Sequence, residues 1–520
     1  MNLHRLAGRV SGLAFAALVA ASLWGASCGG GGGGDCNVAE QTGCDTGLVC
    51  RNDPAGGTGC FCNPATNTGC DGDAICEEIT DGTTGCFDTK VVARGTVFDC
   101  ADETAVIDGA RVVAMDVNGS PVSLVATTDA EGNYELTVPT RRNPDGTPAG
   151  DDFTLRTDAA AFQTFPSGVR QAIPIDTASP VTEGNLLVID NSLTDVCLIA
   201  LEPGFGTASI FGTVELPENN LGALVVAESS PTAGFSAIAD REGGYRIFNL
   251  PAGTYTVKAY VQGVNHEPAT ATLTDGEEEE VNLAMNDEAT ATLNGSVQIV
   301  NPGAGDATSV ILVVESTFNE AVIRGETPPG LRAPAPGIAP NLSSGDTFTI
   351  TGIPSGSYAI LAAFENDFLV RDPDVCISGT DVLHEDFSAG EIVDSEGFKI
   401  TGALDVISPG ATTPETVTTL TPTFSWKDDS SEQQYLIEVI DSFGNLMGQA
   451  EIDSSSGSNP SIVYGSAEWL NDSEGADPNN VTDFANPLES GQYYQFRVVS
   501  LKDGCELSRT EDLKGVFFVQ

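Results

Sequence analysis

The sequence predicts an all-β protein, a tandem of β-sandwiches preceded by a small disulfide-rich module. Three observations lead there. Apolar residues make up 41% of the 520, enough for several packed cores and too many for a single one. Runs of Val, Ile, Thr and Tyr alternate with polar residues between turns drawn from 58 glycines and 28 prolines, and no 3.6-residue periodicity continues past residue 27. Cysteines crowd into residues 36–86 and repeat there in register.

Charge narrows the partners. The chain holds 22 basic and 74 acidic residues, a formal net charge of −52. Such a surface repels nucleic acid and anionic headgroups, so no nucleic-acid partner is expected. Its plain consequence is solubility. The sharper alternative is Ca²⁺, which takes clustered carboxylates.

Residues 1–27 have the parts of an export signal: His4, Arg5 and Arg9, an apolar run from Val10 to Trp24, then Gly25, Ala26 and Ser27. The run is shorter than the roughly 20 residues needed to span a bilayer, and glycines 29–34 follow it where a stop-transfer segment would be basic. Leu23-Trp24-Gly25-Ala26-Ser27-Cys28 resembles a bacterial lipobox, with Gly25 where that family prefers Leu. The resemblance implies a lipidated Cys28, a Gly-rich tether over 28–35, the membrane as a partner through the N-terminal lipid, and a place in the cell envelope, at the outer membrane and facing outward. Taking Cys28 from the 13 cysteines leaves an even set.

Cys36, Cys44, Cys50 and Cys60 recur 26 residues later as Cys62, Cys70, Cys76 and Cys86, with "TGCDTGLVC" against "TGCDGDAIC" around them. Residues 36–88 are therefore a duplicated four-cysteine unit, too short to fold on burial alone and stapled by disulfides. A metal cluster is the rival; the lack of histidine and of CxxC pairs speaks against it. Each repeat allows three pairings. The Cys-Phe-Cys junction and spacing resemble an epidermal growth factor-like module, which implies Cys36–Cys50, Cys44–Cys60, Cys62–Cys76 and Cys70–Cys86.

Beyond residue 88 three segments, 89–203, 204–287 and 288–403, share an order of features. Each opens on Gly-Thr/Ser-Val: Gly95-Thr96-Val97, Gly212-Thr213-Val214 and Gly295-Ser296-Val297. Each later carries an aromatic strand and a proline turn: "EGNYELTVP", "GGYRIFNLPAGTYTVKA" and "DTFTITGIPSGSYAILA". In the second, Tyr255, Val257, Ala259 and Val261 alternate with Thr256, Lys258 and Tyr260 as a half-buried strand would. These segments resemble carboxypeptidase regulatory-like domains, prealbumin-like (transthyretin-type) sandwiches related to adhesin stalk repeats. Gly212, Asp240, Gly244, Tyr245, Leu250, Pro251, Gly253 and Tyr255 fit that pattern; the first segment lacks the final Gly-x-Tyr turn, and the third carries a Pro-rich insertion at 327–340. The motif tyrosines are expected in the core. No lysine falls in the first strands of the second and third segments, so the isopeptide cross-link of some relatives is not expected. Cys100 follows the first strand of the first segment, Cys197 lies in its last, and the two are expected to pair.

Residues 404–520 change texture. "TPTFSW", "YLIEVIDSFGNLM" and "LESGQYYQFRVVSL" resemble an Ig-like sandwich of fibronectin type III kind, which implies a core on Trp426, Tyr435, Tyr494, Phe496 and Val498. Cys376 and Cys505 are expected to pair across the last two segments.

No catalytic motif stands out. His266 and His384 lack a second histidine at metal-binding spacing, and there is no nucleophile elbow or phosphate loop. "DGEEEE" (275–280) reads as a solvated turn. Asp71-Gly72-Asp73 and the acids of 453–472 offer oxygens to Ca²⁺ without matching the twelve-residue loop, so no cofactor is expected. The expectation is a non-enzymatic, extended surface array, structural or adhesive. The alternative is a carbohydrate- or peptide-binding lipoprotein serving a partner enzyme or transporter, meeting an extracellular glycan or protein ligand through aromatics such as Tyr464 and Trp469.

Overall fold

In the computed structural model the described residues run from 36 to 520, leaving out 39–40, 53–55, 65–66, 117–118, 168–169, 171, 179, 219, 301–306, 320–324, 336–340, 365–381, 396, 402, 429–431, 455–458, 471–483 and 511–513. Strands dominate them, and the helical content is two short 3₁₀ turns, Glu315–Thr317 and Ala467–Leu470. None of the described helices is long and apolar enough to cross a membrane.

The duplicated unit forms two hairpins, Leu48–Asn52 with Thr58–Cys62 and Ile75–Glu78 with Thr84–Phe87. Cys36–Cys50, Cys44–Cys60, Cys62–Cys76 and Cys70–Cys86 are bonded, the first-to-third and second-to-fourth pattern in each repeat. The duplication extends to uncharged polar side chains. Gln41 and Asn67, both with positive φ, accept from the Cys50 and Cys76 amides at 3.0 and 2.7 Å. Thr58 and Thr84 donate to the Cys36 and Cys62 carbonyls at 2.8 and 2.7 Å.

Four sandwiches follow. In the first, Lys90–Asp99 lies between Asn133–Thr137, antiparallel, and Leu186–Ile189 and Val196–Leu198, both parallel. In the second, Ala208–Thr213 lies between Gly244–Leu250 and the parallel Glu278–Glu280. In the third, Ala291–Val300 lies between Thr347–Ile353 and the parallel Ile392–Asp394 and Phe398–Thr401. The opposite sheets order Ile175–Asp176, Asp152–Asp158, Arg111–Asp116 and Ala126–Thr127; Ala233–Ala239, Ala223–Ser230, Gly253–Tyr260 and Ala269–Leu273; and Arg332–Ala333, Thr308–Val314, Gly356–Phe364 and Leu383–Phe387. The fourth pairs Glu415–Val417 in parallel with Val516–Val519 and centres its larger sheet on Tyr493–Lys502 and Gln434–Asp441.

The opening glycines have a physical reason. Gly95, Gly212 and Gly295 stand opposite Tyr134, Tyr245 and Phe348 in register. A Cβ on Gly95 would lie 2.0 Å from the Thr194 carbonyl oxygen, and one on Gly212 would lie 1.9 Å from that of Val281. The same two carbonyls accept from the Tyr134 and Tyr245 hydroxyls. Glycine thus lets three strands close on one buried hydroxyl, and burial pushes both phenols up in pKa. In the third sandwich Phe348 has no hydroxyl and its ring covers Gly295 instead. Gly212→Ala should destabilise the second sandwich by about 3 kcal/mol, read as a lower urea midpoint. Gly244→Ala, whose Cβ meets nothing within 4 Å, should leave it nearly unchanged.

The proline turns close likewise: Tyr255 donates to the Pro251 carbonyl at 2.7 Å and Tyr358 to that of Pro354 at 2.8 Å. In the fourth core Trp426, Tyr435, Phe496 and Val498 are fully buried, with Phe424 stacked on Phe496 at 4.5 Å. "DGEEEE" is more than a turn: Glu278–Glu280 forms the second sandwich's returning strand, its backbone completing the ladder while Glu278 and Glu280 stay exposed. Cys376, and with it the test of the Cys376–Cys505 pair, lies outside the described residues, as does Cys28.

The sandwiches do not run out as an extended string. Strands Arg111–Asp116, Ala223–Ser230 and Thr308–Val314 are apolar on both faces, and Val113, Met115, Leu224, Val226, Tyr260, Val310 and Leu312 join one core that crosses three sandwiches. Ile440 and Val516 of the fourth sandwich enter the core of the first. Unbroken apolar runs bury both faces of a sheet, and chain order then gives way to packing.

Candidate functional site: the buried junctions

Among the described residues, the junctions between units hold much of the buried charge. Between the cysteine-rich repeat and the first sandwich, Glu77 and Arg142 have wholly buried side chains and form an ion pair. The Arg142 guanidinium also donates to the Thr89 carbonyl at 2.8 Å and lies 4.9 Å from the Phe87 ring centre. The Thr140 amide donates to Glu77 at 3.0 Å. Burial raises the Glu77 pKa, and Arg142 and this amide pull it back.

Between the first two sandwiches, Asn249 accepts from the Ala161 amide at 2.7 Å and donates to the Ala159 and Phe162 carbonyls at 3.0 and 2.8 Å. It does so from a left-handed backbone at φ 62°. Gly352, at φ 76°, holds the same place two residues before the proline of the third sandwich, and its carbonyl accepts from Gly263 of the second at 2.8 Å. One bulge position thus docks the second and the third sandwich each on the one before it. Asn249→Ala removes three bonds and should cost about 2 kcal/mol, with faster amide exchange at residues 159–162 as the readout. Asn249→Gly relieves the backbone but should not restore the docking.

A cleft of about 260 Å³ opens where three sandwiches meet, lined by Thr154, Arg156, Ser167, Ser236, Asn319 and Glu326 among others. Arg156 donates to Asp158 at 3.0 Å and to the Ser236 carbonyl and hydroxyl at 3.2 Å, and pairs with Glu326 at 2.7 Å. Burial opposes its charge, but Asp158 and Glu326 outweigh that and raise its pKa further. With its donors spent on the three sandwiches, the guanidinium serves as a rivet. Nearby Glu228 holds Lys258, Tyr260 and Ser316 at 2.7, 2.9 and 3.1 Å. Tyr260, expected on the solvent side of its strand, is 1% exposed because Tyr358 of the next sandwich stacks edge-on at 5.8 Å.

The fourth junction returns to the first sandwich. Phe98 and Phe443 meet edge-on at 5.6 Å. Arg170 donates to the Phe443 carbonyl at 2.9 Å and to that of Cys197 at 2.8 Å, beside the Cys100–Cys197 disulfide.

The remaining sequence candidates lie elsewhere. Trp469 and Tyr464, named as ligand-facing aromatics, are 0% and 2% exposed: they pack on each other at 4.8 Å around Phe424, so the expected binding face is core. Asp71 and Asp73 are exposed, and among the described residues the groups of three metal-ligating side chains are cysteines alone. His384 pairs with Glu315 at 2.8 Å. His266 is buried, with Nε2 on the Glu215 carbonyl at 2.8 Å and its pKa lowered by burial. A lowered folded pKa means stability is full above the unfolded value of about 6.5 and falls as pH drops below it. His266→Gln should flatten that slope in urea titrations.

The junction residues Glu77, Arg142, Arg156 and Asn249 were missed by sequence reasoning. The legible signal was the unbroken runs "ALVVA" and "SVILVV", which mark sheets covered on both sides.

No protein-family model and no curated protein matches the chain. Among solved structures it is similar to a streptococcal ancillary pilin (12% identity, 59% of this chain and 98% of that one, TM-score 0.15). It is also similar to a tetra-tandem repeat from the extending region of a large adhesion protein (15%, 81% and 98%, 0.13). A DUF3823 family protein from Bacteroides uniformis is a third (10%, 44% and 100%, 0.20). At such identities and scores the fold rests on the chain's own strand pairing.

Proposed function

We propose that the chain is a non-catalytic, lipid-anchored display protein of the bacterial cell envelope, structural or adhesive, held at the outer membrane through Cys28 and facing outward. Its sandwiches are read as carboxypeptidase regulatory-like modules with a fibronectin type III-like unit last.

One observation carries the reading. In every sandwich an N-terminal strand is paired in parallel with a returning C-terminal strand. The chain enters at one end of that pair and leaves at the other, so tension between the two ends pulls along the strands. The evenly spaced bonds of a parallel ladder then share the load instead of opening one by one. Four disulfides in the duplicated unit and one across the first sandwich limit how far the chain can pay out. A scaffold that bears load between an anchor and a distal surface uses these properties.

Intact-mass measurement of the N-terminus tests the anchor. An acylated Cys28, with release of a Cys28→Ser variant to the soluble fraction and loss of protease-accessible protein on cells, supports the reading. An unmodified Cys28 on a cytosolic protein overturns it.

A further inference from the structure

We propose that each four-cysteine repeat, once reduced, is a tetrathiolate site for a soft divalent ion such as Zn²⁺, so that one chain takes two ions. In the first repeat the Cys36, Cys44 and Cys50 sulfurs lie within 4.8 Å of one another, and Cys60 is bonded to Cys44. In the second the same holds for Cys62, Cys70 and Cys86, with Cys76 bonded to Cys62. The two disulfides of a repeat thus sit side by side. A tetrahedral Zn–S distance of about 2.3 Å puts thiolate sulfurs roughly 3.8 Å apart, between the bonded and non-bonded separations present here.

Hydrogen bonds hold the frame that carries the sulfurs alongside the sulfur–sulfur bonds. Gln41 and Asn67 hold the Cys50 and Cys76 amides, and Thr58 and Thr84 hold the Cys36 and Cys62 carbonyls. Cys50, Cys62 and Cys76 are at most 1% exposed, while Cys44, Cys60, Cys70 and Cys86 are half-buried, so each ion would be shielded from water on one side. Glu77, next to Cys76, is pinned by Arg142 of the first sandwich, so the second repeat is the better preorganised and binds its ion more tightly.

The chemistry balances. A dithiol gives two electrons and two protons to each disulfide and becomes a disulfide itself. The four thiols then release four protons as one M²⁺ binds four thiolates. The oxidised chain is stapled and metal-free; the reduced chain is held by the ion.

Co²⁺ titration of the phosphine-reduced full chain, in a Cys376→Ser/Cys505→Ser background, tests this. The expected result is two Co²⁺ per chain with tetrahedral ligand-field and sulfur-to-cobalt charge-transfer bands, displaced by Zn²⁺. Cys70→Ser should remove the tighter ion and Cys44→Ser the weaker. Absence of these bands, an octahedral spectrum from the acidic surface, or binding indifferent to both substitutions overturns the proposal. Near-ultraviolet dichroism from buried Trp426 reports on the fourth sandwich, and amide exchange at Cys50 and Cys76 reports on the repeats, so a loss of bands with both signals kept is not unfolding.

Discussion

Loss of the Cys100–Cys197 bridge, through Cys100→Ser/Cys197→Ser, is expected to cost the first sandwich about 4–5 kcal/mol. The bond joins residues 97 apart, and the denatured chain gains the freedom of that whole loop. The bridge also ties the end of Lys90–Asp99 to Val196–Leu198, the parallel pair that tension would load. The effect should spread to the fourth sandwich. Arg170 spans the Cys197 carbonyl and the Phe443 carbonyl, and Phe443 rests on Phe98, two residues before Cys100. Guanidinium denaturation followed by amide exchange should show a lower midpoint for residues 89–203 and faster exchange around Phe443. An unchanged Phe443 would mean the fourth sandwich docks without Arg170.

Arg142→Met should cost a further large amount, about 3–5 kcal/mol, because it strands Glu77 as a buried carboxylate. The repeat itself remains stapled, so the loss should appear as detachment of hairpin Ile75–Glu78 and Thr84–Phe87 from the first sandwich. Proteolysis between residues 86 and 90 should accelerate. Glu77→Gln should cost less, since a neutral amide keeps the Thr140 contact, and replacing both partners with apolar residues should restore much of the stability. Equal losses for Arg142→Met and the double replacement would show that packing on Phe87, rather than charge, holds the junction.

The all-β class was legible because side-chain alternation and turn residues act locally. Tyr255 and Val257 face inward wherever their sandwich sits. The duplicated cysteines were legible because a 26-residue register survives in the chain itself. The junctions were not, since they depend on which outer faces meet. Tyr260 alternates like a solvent-facing residue and becomes core only when Tyr358 arrives. Trp469 and Tyr464 look like surface aromatics between polar neighbours, yet Phe424 gathers both inward. Asn249 reads as an ordinary strand residue until the bulge turns it to φ 62° against the first sandwich. The extended string gave way for the same reason: residue order says nothing of the Phe443 contact with Phe98.

Single-molecule extension of the full chain, held at its two ends, tests the proposed sharing of load by the parallel pairs most directly. The Phe443 contact should release first and at low force, followed by separate high-force events as each parallel pair shears. The first sandwich should pay out roughly 340 Å less before reduction than after it, the length of the 97 residues behind its disulfide. Gradual lengthening at low force, with no reduction-dependent step, would contradict strands loaded side by side.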